Sequence, residues 1–248
     1  MAVNKQIDTM AVLLVGGMGT RLRSVVPDAP KPLASVGNKA FLELLVRQLR
    51  DQDIRQIVMC TGYRAEQIEG YFRDGRHYGV SIRYSRELEP QGTGGAIKLT
   101  ETFLQAEAQF IVMNGDSFMQ VNFAELLEFH DDRRAILSMA VRRVLDAGRY
   151  GTVELDANHR VIAFSEKTGL NQAGIVNAGV YVFSREVLQM IPQGPCSLEK
   201  DILPKLLDRG VYALEQRGEF IDIGTPEDYA RAQQIHDRLN EAASVKSM

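Results

Sequence analysis

MAVLLVGGMGTRLRSVVPDAPKPL, residues 10–33, decides how the rest of the chain is read. It opens with the apolar run Met10–Val15, the length of a buried strand. The run turns at once into Gly16, Gly17 and Gly19, and two cations follow, Arg21 and Lys31, the second held between Pro30 and Pro32. A strand that ends in glycines lets the backbone come close to a ligand with its amides free to point at it. Fixed positive charge a few residues later suits a polyphosphate.

Two phosphate loops can be tested here. The dinucleotide pattern G-x-G-x-x-G would begin at Gly17, but Leu22 stands at its third glycine. The P-loop requires Gly-Lys-Ser/Thr after its four-residue gap, where Gly19-Thr20-Arg21 stands instead. What remains is GG-x-GT-R-L followed by K-P-L. A glycine-rich loop alone also fits a structural turn. Loop, Arg21 and K-P-L together at this spacing suit a polyphosphate better than a structural turn.

The totals set the frame. A chain of 248 residues with 45% apolar residues can bury a sizeable core. A net charge of −3, with Lys and Arg spread along the chain, leaves no nucleic-acid footprint or membrane-binding basic face. No apolar run approaches the ~18 residues of a spanning helix. The start, MAVNKQIDT, lacks the apolar core of a signal peptide. The two cysteines, Cys60 and Cys196, form no metal motif. The expectation is a soluble, cytoplasmic, enzyme-like protein.

Beyond the opening loop the periodicity predicts a helix over Ala40–Gln52, a strand over Ile54–Cys60, a short helix over Arg64–Asp74 and a strand over Ser81–Ser85. A glycine-started helix over Gly94–Leu104, a buried strand over Gln109–Met113 and a helix over Phe123–Asp131 follow. Such alternation implies an α/β fold: a doubly wound, Rossmann-like, mostly parallel mixed sheet. Strand candidates at 136–144, 151–155, 161–165 and 176–183 suggest an antiparallel extension. Helices over Leu198–Asp208 and Pro226–Ala242 and strands over Val211–Leu214 and Glu219–Ile223 complete the chain. With no linker between the halves, one domain is expected: about 10–130 for nucleotide, about 131–241 for the second substrate, and a frayed tail after about Glu241.

The opening resembles that of the sugar-1-phosphate nucleotidyltransferases, which have a GT-A-like fold. The likeness continues in order through EPQGTGGAI (Glu89–Ile97), NGDS (Asn114–Ser117), RYG (Arg149–Gly151), SEK (Ser165–Lys167), NAGVYVF (Asn177–Phe183), EKD (Glu199–Asp201) and IDIGTPEDY (Ile221–Tyr229). It implies that an oxygen of a sugar 1-phosphate attacks the α-phosphorus of a nucleoside triphosphate and pyrophosphate leaves. That chemistry needs fixed cations, a metal and aligned reactants, with no covalent nucleophile. Consistently, the four histidines, His77, His130, His159 and His236, form no catalytic set and read as solvated surface.

By the same resemblance, Val15, Gly16, Gly17, Gly19, Thr20 and Arg21 wrap the triphosphate, and Arg21, Lys31 and Lys167 serve catalysis. Gly92, Thr93 and Gly94 pack against base and ribose. Asp116 and Asp222 hold Mg²⁺, Asp116 also facing the nucleotide, though a turn or cap would explain Asp116 alone. Lys167 grips the sugar phosphate, Glu166 and Asn177 bond sugar hydroxyls, and Gly151 and Gly179 let the ring lie against backbone. Glu199 either touches the sugar or sits in the first turn of an amphipathic helix.

E-P-x-G-T-x-G recurs among guanylyltransferases, including those for mannose 1-phosphate and heptose 1-phosphate. The overall likeness lies with the D-glycero-α-D-manno-heptose 1-phosphate group, which implies GTP and that heptose phosphate as substrates. Gln91, where an apolar residue is common, bears on base preference. The same chemistry with mannose 1-phosphate, UTP or dTTP is the alternative. A non-catalytic nucleotide-sensing subunit is the alternative of another class, set against the retention of Arg21, Lys31, Asp116, Lys167 and Asp222. Oligomeric state is open, and a homo-oligomer is compatible with the sequence.

Overall fold

Five of the six apolar residues Met10–Val15 build a strand that serves both faces of the sheet. The computed structural model describes residues 9–165 and 172–244, and its strand β1 (Met10–Leu14) pairs in parallel on each side. The short hairpin β2 (Ser35–Val36) and β3 (Lys39–Ala40) leads into helix α1 (Phe41–Asp51), where Glu43 closes the first turn by accepting the Ala40 amide. Then follow β4 (Gln56–Thr61), α2 (Ala65–Phe72), β5 (Ser81–Arg86), α3 (Gly92–Leu99) and β6 (Gln109–Asn114). Strands β6, β1, β4 and β5 lie side by side in parallel. Alternate residues of β1 serve opposite faces: Ala11 and Leu13 join one apolar cluster, Met10 and Val12 the other. Helices α1 and α3 cover opposite faces, which is the doubly wound arrangement.

The chain next forms β7 (Ser117–Met119), α4 (Phe123–Arg133) capped by the Asn122 side chain, β8 (Leu137–Val144), β9 (Thr152–Leu155), β10 (Val161–Ser165) and β11 (Gly174–Ser184). Strand β11 runs antiparallel to β6, β8 and β9, so one mixed sheet passes from the first part of the chain into the second. Two short helices, α5 (Val187–Met190) and α6 (Leu203–Leu206), precede β12 (Val211–Glu215), β13 (Phe220–Asp222), α7 (Pro226–Gln234) and α8 (His236–Ala242). Strand β12 pairs with β8, and β13 forms a small antiparallel sheet with β7.

Three expectations are corrected. The predicted helix over 198–208 is a π-turn (Leu198–Ile202), then α6, then a 3₁₀ turn (Leu207–Arg209). The predicted helix over 226–242 breaks at Ile235, where ψ turns to 16°. His130 is not on the surface: it is 3% exposed, its two ring nitrogens 3.0 Å from the hydroxyls of Ser138 and Ser184. Its place on α4 aims it at the sheet, and burial lowers its pKa to about 4.

Candidate active site

The carboxyl ends of β1, β4 and β6 meet where an open parallel sheet binds ligands. Gly16 follows β1, and its carbonyl accepts the Tyr63 amide at 3.0 Å. A Cβ at Gly16 would stand 2.7 Å from the Glu87 carboxylate and 3.1 Å from the Gly62 nitrogen, so this glycine is set by close packing of backbone. At Gly17 a Cβ would meet nothing within 4 Å among the described residues. A 3₁₀ turn at Thr20–Leu22 then carries Arg21.

The opening loop walls a cavity of about 620 Å³ lined by Val15, Gly16, Gly17, Gly19, Thr20, Arg21, Lys31, Glu87, Gly92, Thr93, Asn114 and Asp116. The Val15 side chain itself belongs to the core. Beside it lies a cavity of about 330 Å³ lined by Arg21, Asn114, Ser117, Arg149, Gly151, Asn177, Gly179, Glu199 and Asp222. Arg21 and Asn114 line both.

The acidic residues meet at the junction of β7 and β13. Asp222 stands opposite Ser117, and the Ile223 amide donates to the Asp116 carbonyl at 3.0 Å. Lys31, only 9% exposed, donates from Nζ to Asp116 Oδ2 at 2.6 Å. Asp222 Oδ1 accepts the Gly224 amide at 2.5 Å. Burial, and then the charge of Asp116, push the Asp222 carboxyl up to about 6, against the opposing pull of Lys31 and the Gly224 amide. Among the described residues, the buried Asn114 Oδ1 has no hydrogen-bond partner there. Among the described residues no group of three or more His, Cys, Asp or Glu could form an all-protein cage. Two carboxylates with an orphaned amide oxygen nearby do fit a hard cation such as Mg²⁺, which takes one or two carboxylates and completes its shell with phosphates and waters.

In the smaller cavity Arg149 makes a bidentate pair with the buried Asp228, both contacts 2.9 Å. Asp228 also accepts the Thr225 hydroxyl, which caps α7 by accepting the Asp228 amide. Residues 149–151 are thereby tied to the segment that follows Asp222. Asn177 Oδ1 accepts the Gly179 amide at 3.0 Å, and its Nδ2 donates to the Tyr181 hydroxyl at 2.6 Å. Gly179 has φ +74°, and a Cβ there would lie 2.7 Å from Ser117 Oγ; the fold therefore accounts for this glycine without a sugar.

Residues 92–95 are fastened to residues 194–199. The Gly94 amide donates to the Cys196 carbonyl at 2.9 Å. Gly92 has φ +69°, and a Cβ there would meet the same carbonyl at 2.5 Å. The Thr93 hydroxyl donates to Glu199 Oε2 at 2.8 Å and accepts the Leu198 amide at 2.7 Å. Glu166 and Lys167 lie outside the described residues. Reading the sequence passed over Asn114, Glu87 and Arg149 as lining residues. Asn114 and Arg149 carried a signal, since they open the NGDS and RYG motifs; Glu87 becomes visible only when the cavities are formed.

The parallel sheet, the glycine-ended first strand and the aspartate pair between two adjoining cavities define a nucleotidyltransferase. Residues 10–238 match the Nucleotidyl transferase family, and the chain belongs to it. It is 42% identical over 226 residues, 90% of this chain and 96% of the relative, to the D-glycero-alpha-D-manno-heptose 1-phosphate guanylyltransferase of Aneurinibacillus thermoaerophilus. It is 38% identical to the mannose-1-phosphate guanylyltransferase of Mycobacterium tuberculosis, covering 91% of this chain but 63% of that longer protein. The crystal structure of HddC from Yersinia pseudotuberculosis complexed with GMP-PN superposes with a TM-score of 0.81 at 34% identity, over 92% of this chain and 99% of that one.

Proposed function

We propose that the protein transfers GMP from GTP to a sugar 1-phosphate, D-glycero-α-D-manno-heptose 1-phosphate, giving the GDP-sugar and pyrophosphate. The observation that carries the reading is the pair of adjoining cavities that share Arg21 and Asn114 and meet at Asp116 and Asp222. The 42% identity to the heptose enzyme along nearly its whole length supports the choice of sugar. The GMP-PN complex of HddC supports guanine.

The larger cavity takes the nucleotide, with the β- and γ-phosphates over residues 16–20. The smaller takes the sugar phosphate. One phosphate oxygen of the sugar 1-phosphate attacks the α-phosphorus as the bond from that phosphorus to the α,β-bridging oxygen breaks. The attacking group is already an anion, so no general base is required. Arg21 borders both cavities and offsets the charge of both polyanions. Lys31 neutralises Asp116 and keeps a cation near the reacting phosphorus. Asp116 and Asp222 would hold Mg²⁺, which when bound supplies Lewis-acid stabilisation of the phosphoryl oxygens. Lys167 grips the sugar phosphate and Glu166 a ring hydroxyl. Arg149, held by Asp228, fixes the wall behind the sugar.

The test is pyrophosphate release across GTP, UTP, dTTP, CTP and ATP with a panel of sugar 1-phosphates. GTP with the heptose phosphate should give the highest kcat/KM. A site built to hydrogen-bond one base rejects others strongly, because its polar groups are left unpaired. A higher value with mannose 1-phosphate would move the assignment to the second reading, which the 38% identity to the mannose enzyme favours.

A further inference from the structure

The two cavities are joined by a side-chain bridge that neither substrate explains. Thr93 lines the larger cavity and Glu199 the smaller. The Thr93 hydroxyl has both its roles committed: it donates to Glu199 Oε2 at 2.8 Å and accepts the Leu198 amide at 2.7 Å. It therefore has no proton left for a nucleotide. Ser197 Oγ donates to the same Oε2 at 3.1 Å. Glu199 Oε1 has no hydrogen bond among the described residues. A carboxylate fixed by one oxygen and open at the other, in the wall of a cavity for a polyhydroxylated ligand, is an acceptor for a ring hydroxyl. Backbone bonds extend the bridge, from the Gly94 amide to the Cys196 carbonyl and from the Cys196 amide to the Gln91 carbonyl, each 2.9 Å.

We propose that Thr93 is a positioning residue for the sugar phosphate: it holds Glu199 so that Oε1 accepts a sugar hydroxyl, and it passes the ordering of residues 92–94 by nucleotide to the sugar cavity. Binding of the two substrates is then mutually reinforcing, and by linkage the factor is the same in both directions. The inference rests on the assignment of nucleotide and sugar phosphate to the two cavities.

The test compares Thr93→Val, Thr93→Ser, Glu199→Gln and the Thr93→Val/Glu199→Gln double variant with the wild type, using GTP and D-glycero-α-D-manno-heptose 1-phosphate. Thr93→Val and Glu199→Gln should each raise the KM for the sugar phosphate about tenfold, the scale of one hydrogen bond to a charged group. Affinity for GTP alone should stay within about twofold, Thr93→Ser should restore the wild-type KM for the sugar phosphate, and the double variant should be no worse than Glu199→Gln, as for residues acting as a unit. Calorimetry with GTP replaced by its inert α,β-methylene analogue reads the coupling directly. The analogue should tighten sugar phosphate binding by the wild type about fivefold or more and leave Glu199→Gln unmoved, a readout that stands even if Thr93→Val does not fold. An increase confined to the KM for GTP, multiplying losses in the double variant, or no coupling in the wild type would overturn the proposal. Wild-type turnover tests the substrate assignment separately. If another sugar 1-phosphate proves to be the substrate, the same comparison is made with it.

Discussion

Asp222→Asn should stabilise the metal-free protein while disabling it. In the fold the Asp222 carboxyl titrates at about 6 against an ordinary value of 3.8. The folded value is raised, so no penalty exists below the unfolded value, and the full penalty is reached above the folded one. At pH 7.5 the shift corresponds to at most about 3 kcal/mol, lessened by the solvent that the carboxyl still touches; by pH 4.5 it falls to about 1 kcal/mol. The amide keeps the shape and an oxygen for the Gly224 N–H. For a chain of this size the gain at pH 7.5 in EDTA is a rise in Tm of roughly 4–8 °C. With Mg²⁺ and GTP the order should reverse, because only the wild type gains the full stabilisation of the bound ligands. kcat should drop ~10²–10³-fold, the usual loss for one electrostatic stabiliser. Differential scanning fluorimetry at both pH values, with pyrophosphate release, makes the measurement. A Tm below wild type in EDTA at pH 7.5, or near-normal turnover, would refute the reasoning.

Lys167→Ala should raise the KM for the sugar phosphate while leaving GTP affinity intact; calorimetry with each substrate separates the two. His130 is buried neutral with its pKa lowered to about 4, so the unfolded chain takes up its proton first as pH falls. Its contribution, roughly 3 kcal/mol, is complete above pH ~6.5 and is lost as pH drops from there to about 4; urea unfolding should show this slope in the wild type and a shallower one in His130→Gln. Gly92→Ala combines φ +69° with a clash at the Cys196 carbonyl and should cost about 2–4 kcal/mol, read as a lower denaturant midpoint.

The parallel half of the fold was legible because its signals are local. Met10–Val15, Ile54–Cys60 and Gln109–Met113 are short apolar runs, and each proved to be a strand within a residue or two of its ends. Asp116 and Asp222 were named as a pair through the resemblance of their two motifs; their meeting depends on β7 and β13 pairing in a sheet of their own. Long-range contacts hid the rest. Gly92 and Gly94 read as a ligand-facing loop; Gly92 does line the larger cavity, and Cys196 packed on both also requires them to be glycines. His130 looked like a flanking surface residue until Ser138 and Ser184, brought in by β8 and β11, closed over it. Leu198–Asp208 has a helical pattern, but Thr93 draws in the Leu198 amide and the segment opens with a π-turn.

The central claim, attack by a phosphate oxygen of the sugar 1-phosphate on the α-phosphorus of GTP, is tested by the fate of oxygen. The protein is given GTP and heptose 1-phosphate carrying ¹⁸O on its phosphate, and the products are weighed by mass spectrometry. The account predicts that all of the label remains in the GDP-sugar, with one labelled oxygen bridging the two phosphorus atoms, and that the pyrophosphate is unlabelled. Label in pyrophosphate, or GMP formed in place of GDP-sugar, would contradict it.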